Sequence, residues 1–207
     1  MKIVCISDTH SLHDLVTIPE GDMLIHAGDM TNRGSIKDLV KFNNWIKVLP
    51  HKYKIIIAGN HDFCWEKDHA LSRAVLNESI VYLIDNMITI EDINIYGSPW
   101  QPRFFDWAFN VDRGTCLKAK WDKIPMHTDI LITHGPPKNI LDKCERDNRV
   151  GCEDLLNRIN EVKPKYHIFG HIHEGYGTKE KNNITFVNAS ICNKKYNPCN
   201  KPIIIEI

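Results

Sequence analysis

His-Ile-Phe-Gly-His-Ile-His, residues 167–173, holds the pattern that decides how this chain folds. A short apolar run, His167–Phe169, stops at Gly170, and two histidines follow at i and i+2, His171 and His173. A run this short, closed by a turn residue, reads as a buried strand. Two imidazoles spaced this way just past a strand end can reach two adjacent metal ions.

The same arrangement recurs outward along the chain. Ile3–Ile6 leads into Asp8 and His10, and Met23–Ala27 leads into Gly28-Asp29. Ile55–Ala58 leads into Gly-Asn-His-Asp (59–62), and Ile130–Thr133 leads into His134. Val81–Ile84, Ile88–Ile90, Ile93–Tyr96, Ile184–Asn188 and Ile203–Ile207 read as further strands. Helical stretches lie between them. In 35–49 the apolar residues Ile36, Leu39, Val40, Ile46 and Leu49 keep near-helical spacing, with Ser35 as N-cap and Pro50 as a stop. Residues 66–77 and 114–123 also read as helical, and 152–162 places Leu155, Leu156, Ile159 and Val162 on one face. Strands alternating with helices predict an α/β layered fold, one domain over residues 1–207. Ligand-type residues just past strand C-termini then converge on one sheet edge, where α/β proteins place their sites.

Composition narrows the function. Lysine plus arginine and aspartate plus glutamate number 26 each, for a net charge of +0. That is not the footprint of a protein built to grip long nucleic acid or an anionic membrane. The opening Met-Lys-Ile-Val-Cys-Ile-Ser-Asp lacks the pattern of a signal peptide, and no stretch has the length of a membrane span. The seven cysteines include no CxxC pair and read as reduced thiols, so a cytoplasmic location is expected. Asn183-Ile-Thr and Asn188-Ala-Ser match glycosylation sequons by chance in an Asn-rich chain. Residues 97–113 form one long irregular stretch rich in aromatic residues, and loops of that kind tend to be functional.

With His61 set aside as a catalytic group, Asp8, His10, Asp29, Asn60, His134, His171 and His173 remain as metal ligands. A mixed Asp/Asn/His set suits divalent first-row ions. Two such ions about 3.5–4 Å apart clamp the attacking and leaving oxygens of a phosphoryl centre. Asp-x-His and Gly-Asp alone are common, and Asp29 alone would be an ordinary turn residue. An Asn carbonyl is a less usual ligand, and one carboxylate can bridge two ions. The five motifs in this order, each at a strand end, point to phosphoester hydrolysis.

The order D-x-H, G-D, G-N-H-D, H, G-H-x-H resembles the calcineurin-like metallophosphoesterase superfamily. Tyr-Gly-Ser-Pro-Trp-Gln-Pro (96–102), Trp-Ala-Phe-Asn (107–110), Leu-Ile-Thr-His-Gly-Pro-Pro (131–137), Arg-Val-Gly-Cys (149–152), His-Glu-Gly-Tyr-Gly (173–177) and Val-Asn-Ala-Ser (187–190) are similar to its metallophosphoesterase-domain-containing (MPPED) branch. The resemblance implies a four-layer α/β/β/α sandwich of two mixed sheets. It implies that Asp8, His10 and His173 hold a first metal, that Asn60, His134 and His171 hold a second, and that Asp29 bridges them. Some relatives in this branch lack the first His of G-H-x-H. This chain keeps His171, so two divalent ions are expected, Mn²⁺ foremost, with Fe and Zn also compatible.

The resemblance further implies a metal-dependent phosphodiesterase whose partners are small phosphodiesters or nucleotides, with 2′,3′- or 3′,5′-cyclic forms as the expected substrates. A metal-activated hydroxide would attack phosphorus, and His61, helped by Asp62, would protonate the leaving oxygen. Trp100, Phe105 or Trp107 is offered to stack on a base, and Arg33, Arg113 and Arg149 to contact phosphate. His26, just before Gly28-Asp29, is the histidine outside the motifs best placed to support a ligand. Gly-Asp-Met-Thr-Asn-Arg-Gly (28–34) is similar to the G-D-x-x-D-R-G loop of protein Ser/Thr phosphatases. Asn32 departs from that pattern, and the family needs a larger domain. A non-catalytic metal-binding scaffold is disfavoured by the complete ligand set, and a nuclease by the neutral charge. Oligomeric state, metal identity and physiological substrate are not encoded in these features.

Overall fold

Each apolar run read as a strand forms one, within a residue or two at its ends. In the computed structural model, which describes residues 1–145 and 148–207, β1 (Lys2–Ile6), β2 (Met23–Ala27), β3 (Tyr53–Ile57) and β4 (Ile80–Tyr82) run parallel. A second group comprises β5 (Asn86–Ile90), β6 (Ile93–Ser98), β9 (Ile130–Thr133), β10 (Tyr166–Phe169), β11 (Gly177–Lys181) and β12 (Ile184–Asn188). Strand β13 (Ile203–Glu206) returns antiparallel to β1. The first sheet has the order β13-β1-β2-β3-β4 and the second β11-β12-β10-β9-β6-β5. In the second sheet the inner pairs are parallel, and β5 and β11 run antiparallel at the edges. Two short strands, β7 (Gln101–Pro102) and β8 (Asn110–Val111), pair within the long aromatic stretch.

The layering follows from the two-residue period of a strand. On the first sheet Ile3, Cys5, Met23, Ile25, Ile55 and Ile57 point inward and meet Ile95, Ile130, Ile132, Ile168 and Val187 of the second. The alternate residues Val4, Ile6, Leu24 and Ile56 face outward, onto α1 (Ile36–Lys47). There Leu39, Phe42 and Ile46 are buried, each worth roughly 1.5–3 kcal/mol over exposure. On the other side Leu131, Phe169, Ile184 and Phe186 pack against α4 (Thr115–Trp121) and α5 (Glu153–Val162), through Leu117, Trp121, Leu155 and Ile159. The result is the four-layer α/β/β/α sandwich with two mixed sheets.

Two elements differ from the sequence reading. The helical stretch 66–77 is two helices, α2 (Phe63–Lys67) and α3 (His69–Val75). Asp68 breaks the run with extended φ −147°, and its carboxylate caps α3 by accepting from the Leu71 N–H. Strand β11, Gly-Thr-Lys-Glu-Lys, carries no apolar signal because it is an exposed edge, where charged side chains discourage further pairing. No helix among the described residues is long and apolar enough to cross a membrane.

The parallel strands β1, β2, β3, β9 and β10 all end at the same side of the molecule. The two sheets are joined there: Ser7 N–H donates to the Ala189 carbonyl and Ile191 N–H to the Ser7 carbonyl, both at 2.9 Å. This seam places the residues after β1 beside those after β12, and His171, after β10, donates its N–H to Asp8 next to them.

Candidate metal centre

The turns that leave these strands are sharp. Asp8, His10, Asp29 and His171 all adopt positive φ, of 53°, 43°, 57° and 68°. For residues with a Cβ this costs on the order of 1–3 kcal/mol each, and such strain gathers where side-chain placement serves function. Close approach fixes two glycines. A Cβ on Gly59 would collide with the Asp29 carboxylate, and one on Gly170 would collide with the Asp8 carboxylate and Ser7 Oγ.

Asp8 is fully buried and fixed by hydrogen bonds from Ser7 Oγ (2.5 Å), Ser190 Oγ (2.9 Å) and His171 N–H (3.0 Å) to Oδ2. Its Oδ1 faces His173 Nε2 at 3.4 Å and His10 Nε2 at 3.9 Å. Asp29 Oδ1 accepts from the His61 N–H at 2.8 Å. Asp29 Oδ2 faces His134 Nε2 at 3.3 Å, His10 Nε2 at 3.9 Å and His61 Nε2 at 4.0 Å. Asn60 Oδ1 lies 3.0 Å from His134 Nε2. The ligand atoms of Asp8, His10 and His173 fall within 4.8 Å of one another, as do those of Asp29, His134 and His171. A further group of the same compactness joins His10, Asp29 and His61. The seven residues expected to bind metal, with His61, are therefore brought together, and Asp29 of the second triad reaches to 3.9 Å from His10 of the first.

The hydrogen bonding fits a cation. His134 Nδ1 donates to the Ala27 carbonyl and His173 Nδ1 to the Asn193 carbonyl, each at 2.9 Å. Both rings therefore aim their Nε2 at carboxylate or amide oxygens, and the Nε2 atoms of His10 and His173 face each other at 3.2 Å. Lone pairs converging on oxygens need a positive charge between them, from a proton or a metal ion. Burial pushes the Asp8 carboxyl up, but its bond to His173 and the nearby His173 and His134 charges outweigh burial and hold it well below the usual carboxylate range. Burial likewise opposes charge on Asp29, and His134 outweighs it, so that carboxyl also falls. Burial drives His10 down to about 4 and His171 to about 3, so both imidazoles are neutral and free to ligate at neutral pH.

Of the groups that support the ligands, His26 is the one the sequence points to, and His167 and Tyr196 carry no such signal. His26 Nε2 meets Thr9 Oγ1 at 3.0 Å, and His167 Nε2 meets Thr133 Oγ1 at 2.8 Å. Each buried histidine thus braces the threonine that precedes a ligand histidine, His10 or His134. His26 supports the Asp8–His10 turn rather than the Asp29 turn beside it in sequence. Tyr196, at φ 59°, packs its ring 4.7 Å from that of His10 and 5.3 Å from that of His173.

His61 Nδ1 donates to the Asn32 carbonyl at 2.6 Å. Asp62 does not take the helping role expected for it. Its carboxylate instead accepts from Gly59, Met30 and Thr31 N–H groups and from Thr31 Oγ1, which ties two loops together. Burial, then the Asp29 charge, raises its pKa to about 6.

A cavity of about 880 Å³ opens over these groups, walled by Phe104, Trp107, Arg113, Lys194 and Tyr196. Of the residues offered for substrate contact, Arg113 lines it, but its guanidinium donates to the Val150 (2.6 Å) and Gly151 (3.1 Å) carbonyls. Trp107 stacks on His61, and Phe105 stands 82 % exposed outside the wall. Trp100 is placed elsewhere: its indole N–H donates to Asp85, and Lys120 sits 3.6 Å over its ring. Arg33 is exposed beyond the cavity, and Arg149 pairs with Asp142 at 2.9 Å.

The family described as calcineurin-like phosphoesterase matches residues 1–175. Human metallophosphoesterase domain-containing protein 1 is 44% identical over all of this chain and 71% of its own length. A UPF0046 protein of Caenorhabditis elegans is 39% identical over all of this chain and 75% of its own. Among solved structures, Phosphopantetheinyl Hydrolase (PptH) from Mycobacterium tuberculosis superposes with a TM-score of 0.67 at 11% identity, covering 98% of this chain and 95% of that one, a likeness of fold. With the family match spanning most of the sequence and relatives aligned over all of it, this chain belongs to the calcineurin-like phosphoesterase family.

Proposed function

We propose that the protein is a metal-dependent phosphodiesterase acting on small diesters, with cyclic nucleotides as the expected substrates. The observation that carries this reading is the position of Asp29 Oδ2, 3.9 Å from His10 Nε2 of one group and 3.3 Å from His134 Nε2 of the other, in the lining of a cavity. Asp8, His10 and His173 would hold one divalent ion, and Asn60, His134 and His171 the other, with Asp29 bridging. Mn²⁺ is the first candidate, and Fe and Zn suit the same donors. When bound, a pair of such ions lowers the pKa of water and offsets charge on phosphoryl oxygens.

The chain's own residues supply the rest. His61 holds its Nδ1 proton against the Asn32 carbonyl, which leaves Nε2 on the side of Asp29 and the cavity. A proton carried at that Nε2, which stands 4.0 Å from Asp29 Oδ2, can pass to the departing oxygen. Phe104, with its ring 5.1 Å from that of His171, offers a flat apolar wall for a base or similar group. The neutral overall charge argues for a small-molecule partner over long nucleic acid or membrane. The free cysteines fit a reducing, cytoplasmic setting.

The test is hydrolysis of 2′,3′-cyclic AMP, 3′,5′-cyclic AMP and bis-p-nitrophenyl phosphate beside the monoester p-nitrophenyl phosphate, with Mn²⁺ present. Diester turnover supports the reading and ranks the substrates. Turnover of the monoester alone would replace it with a phosphatase, and metal binding without any turnover would replace it with a scaffold.

A further inference from the structure

We propose that Trp107 is a positioning residue that holds the His61 imidazole in its working orientation. This rests on the phosphodiesterase reading for what His61 does, but not for what holds it. The indole and imidazole stack with centroids 4.3 Å apart and planes 28° apart. Phe63 packs on the same indole with centroids 5.9 Å apart. The segment carrying Trp107 is bonded directly to the turn that carries His61. Ala108 N–H donates to the Asn60 carbonyl at 3.2 Å, and Phe109 N–H donates to Glu66 Oε1 of α2 at 2.8 Å. Ala108 and Phe109 are buried, so this docking is fixed.

An imidazole has two soft dihedrals. The Nδ1–Asn32 bond selects which edge of the ring faces inward, but a single hydrogen bond leaves the ring free to tilt about it. The stack on Trp107 and the edge contact with His10, centroids 4.6 Å apart at 74°, remove that tilt. Restricting the ring matters because misplacing a reacting group by about 1 Å can cost on the order of a hundredfold in rate. One face of Trp107 is thereby committed to His61, which makes the indole part of the histidine's support. Phe104 and Tyr196 are the other aromatic side chains in the cavity wall.

The test is a double-mutant cycle. Trp107→Ala and Trp107→Phe are each made in the wild type and in His61→Ala, and bis-p-nitrophenyl phosphate hydrolysis is followed with Mn²⁺. In parallel, the His61 ring protons are recorded by NMR in zinc-loaded, histidine-labelled protein, which is diamagnetic. Trp107→Ala is expected to lower kcat by about tenfold, as loss of one aromatic stack implies, and to change KM by less than about twofold. Trp107→Phe should restore most of the rate, and Trp107→Ala should cost nothing further once His61 is gone. The His61 ring protons, shifted upfield by the indole ring current, should move downfield in Trp107→Ala. A full rate loss that persists in the His61→Ala background, or an effect mainly on KM, would make Trp107 a substrate wall and overturn the proposal. Unmoved His61 resonances would overturn it independently. If the wild type turns over no diester, the phosphodiesterase reading falls, and ring mobility decides instead: relaxation of the His61 ring carbons should show a rigid ring in the wild type and a mobile one in Trp107→Ala, and an equally rigid ring in both would overturn the proposal.

Discussion

His134 Nε2 lies 3.3 Å from Asp29 Oδ2 at the centre of the site, with the other ring nitrogen bonded to the Ala27 carbonyl. Burial opposes charge on this imidazole, but the Asp29 carboxylate outweighs it, and the pKa of His134 rises to about 9. Without metal, therefore, the ring is protonated at neutral pH. A divalent cation placed between the ring and Asp29 has to displace that proton. Metal titration at pH 7.5 by calorimetry, in buffers of different ionisation enthalpy, should show release of about one proton as the site holding His134 fills. Heats independent of the buffer would contradict this picture.

The same pair sets how the metal-free protein responds to pH. The folded pKa of His134, about 9, exceeds the ordinary value of 6.5. Its stabilising contribution is therefore fully present below pH 6.5 and is lost as pH rises through 9. The loss is roughly 3 kcal/mol, equivalent to about 6–12 °C in Tm. Thermal scans of chelator-treated protein from pH 6.5 to 9.5 should show this decline in the wild type, and a flatter trend in His134→Ala. Equal slopes would show that the pair does not govern the response.

His61 stands at the edge of the ligand set, close enough to His10 and Asp29 to share an ion. Its Nδ1 bond to the Asn32 carbonyl turns Nε2 inward, as in His134 and His173, so substitution separates the two roles. His61→Ala should keep both metals by elemental analysis and lower kcat by about 10²–10⁴-fold, the usual worth of a general acid. A protein emptied of metal by that substitution would move His61 into the ligand set.

Gly170 has no room for a Cβ beside Asp8 and Ser7. Gly170→Ala should cost about 1–3 kcal/mol by overpacking and loosen the seam that joins the sheets. Thermal melts should show a lower Tm, and metal affinity should fall with it. An unchanged melt with full metal content would mean that the turn has slack that the packing does not suggest.

How much of this was legible in the sequence follows from where each signal resides. Asp8, His10, Asn60, His134, His171 and His173 follow buried strands directly, so one-dimensional order dictates their shared edge. The strands themselves were legible because burial on both faces makes their apolar runs nearly continuous. What supports the ligands was not legible where it is backbone. The carbonyls of Ala27, Asn32 and Asn193 orient His134, His61 and His173, and a carbonyl leaves no trace in residue identity. Asp62 follows His61 in the chain but turns its carboxylate to the backbone of the Thr31 loop, so sequence adjacency misled. Trp100 carries the aromatic signature of a substrate wall, yet Asp85 and Lys120, remote from it in sequence, hold it away from the cavity.

The most direct test of the central claim is hydrolysis of bis-p-nitrophenyl phosphate by chelator-stripped protein before and after Mn²⁺ is restored, with Asp29→Asn alongside. Expected are no turnover when stripped, turnover on adding metal, and a loss of at least about a hundredfold in Asp29→Asn together with weakened metal binding. Turnover by stripped protein, or undiminished turnover by Asp29→Asn, would contradict a mechanism centred on metals bridged by Asp29.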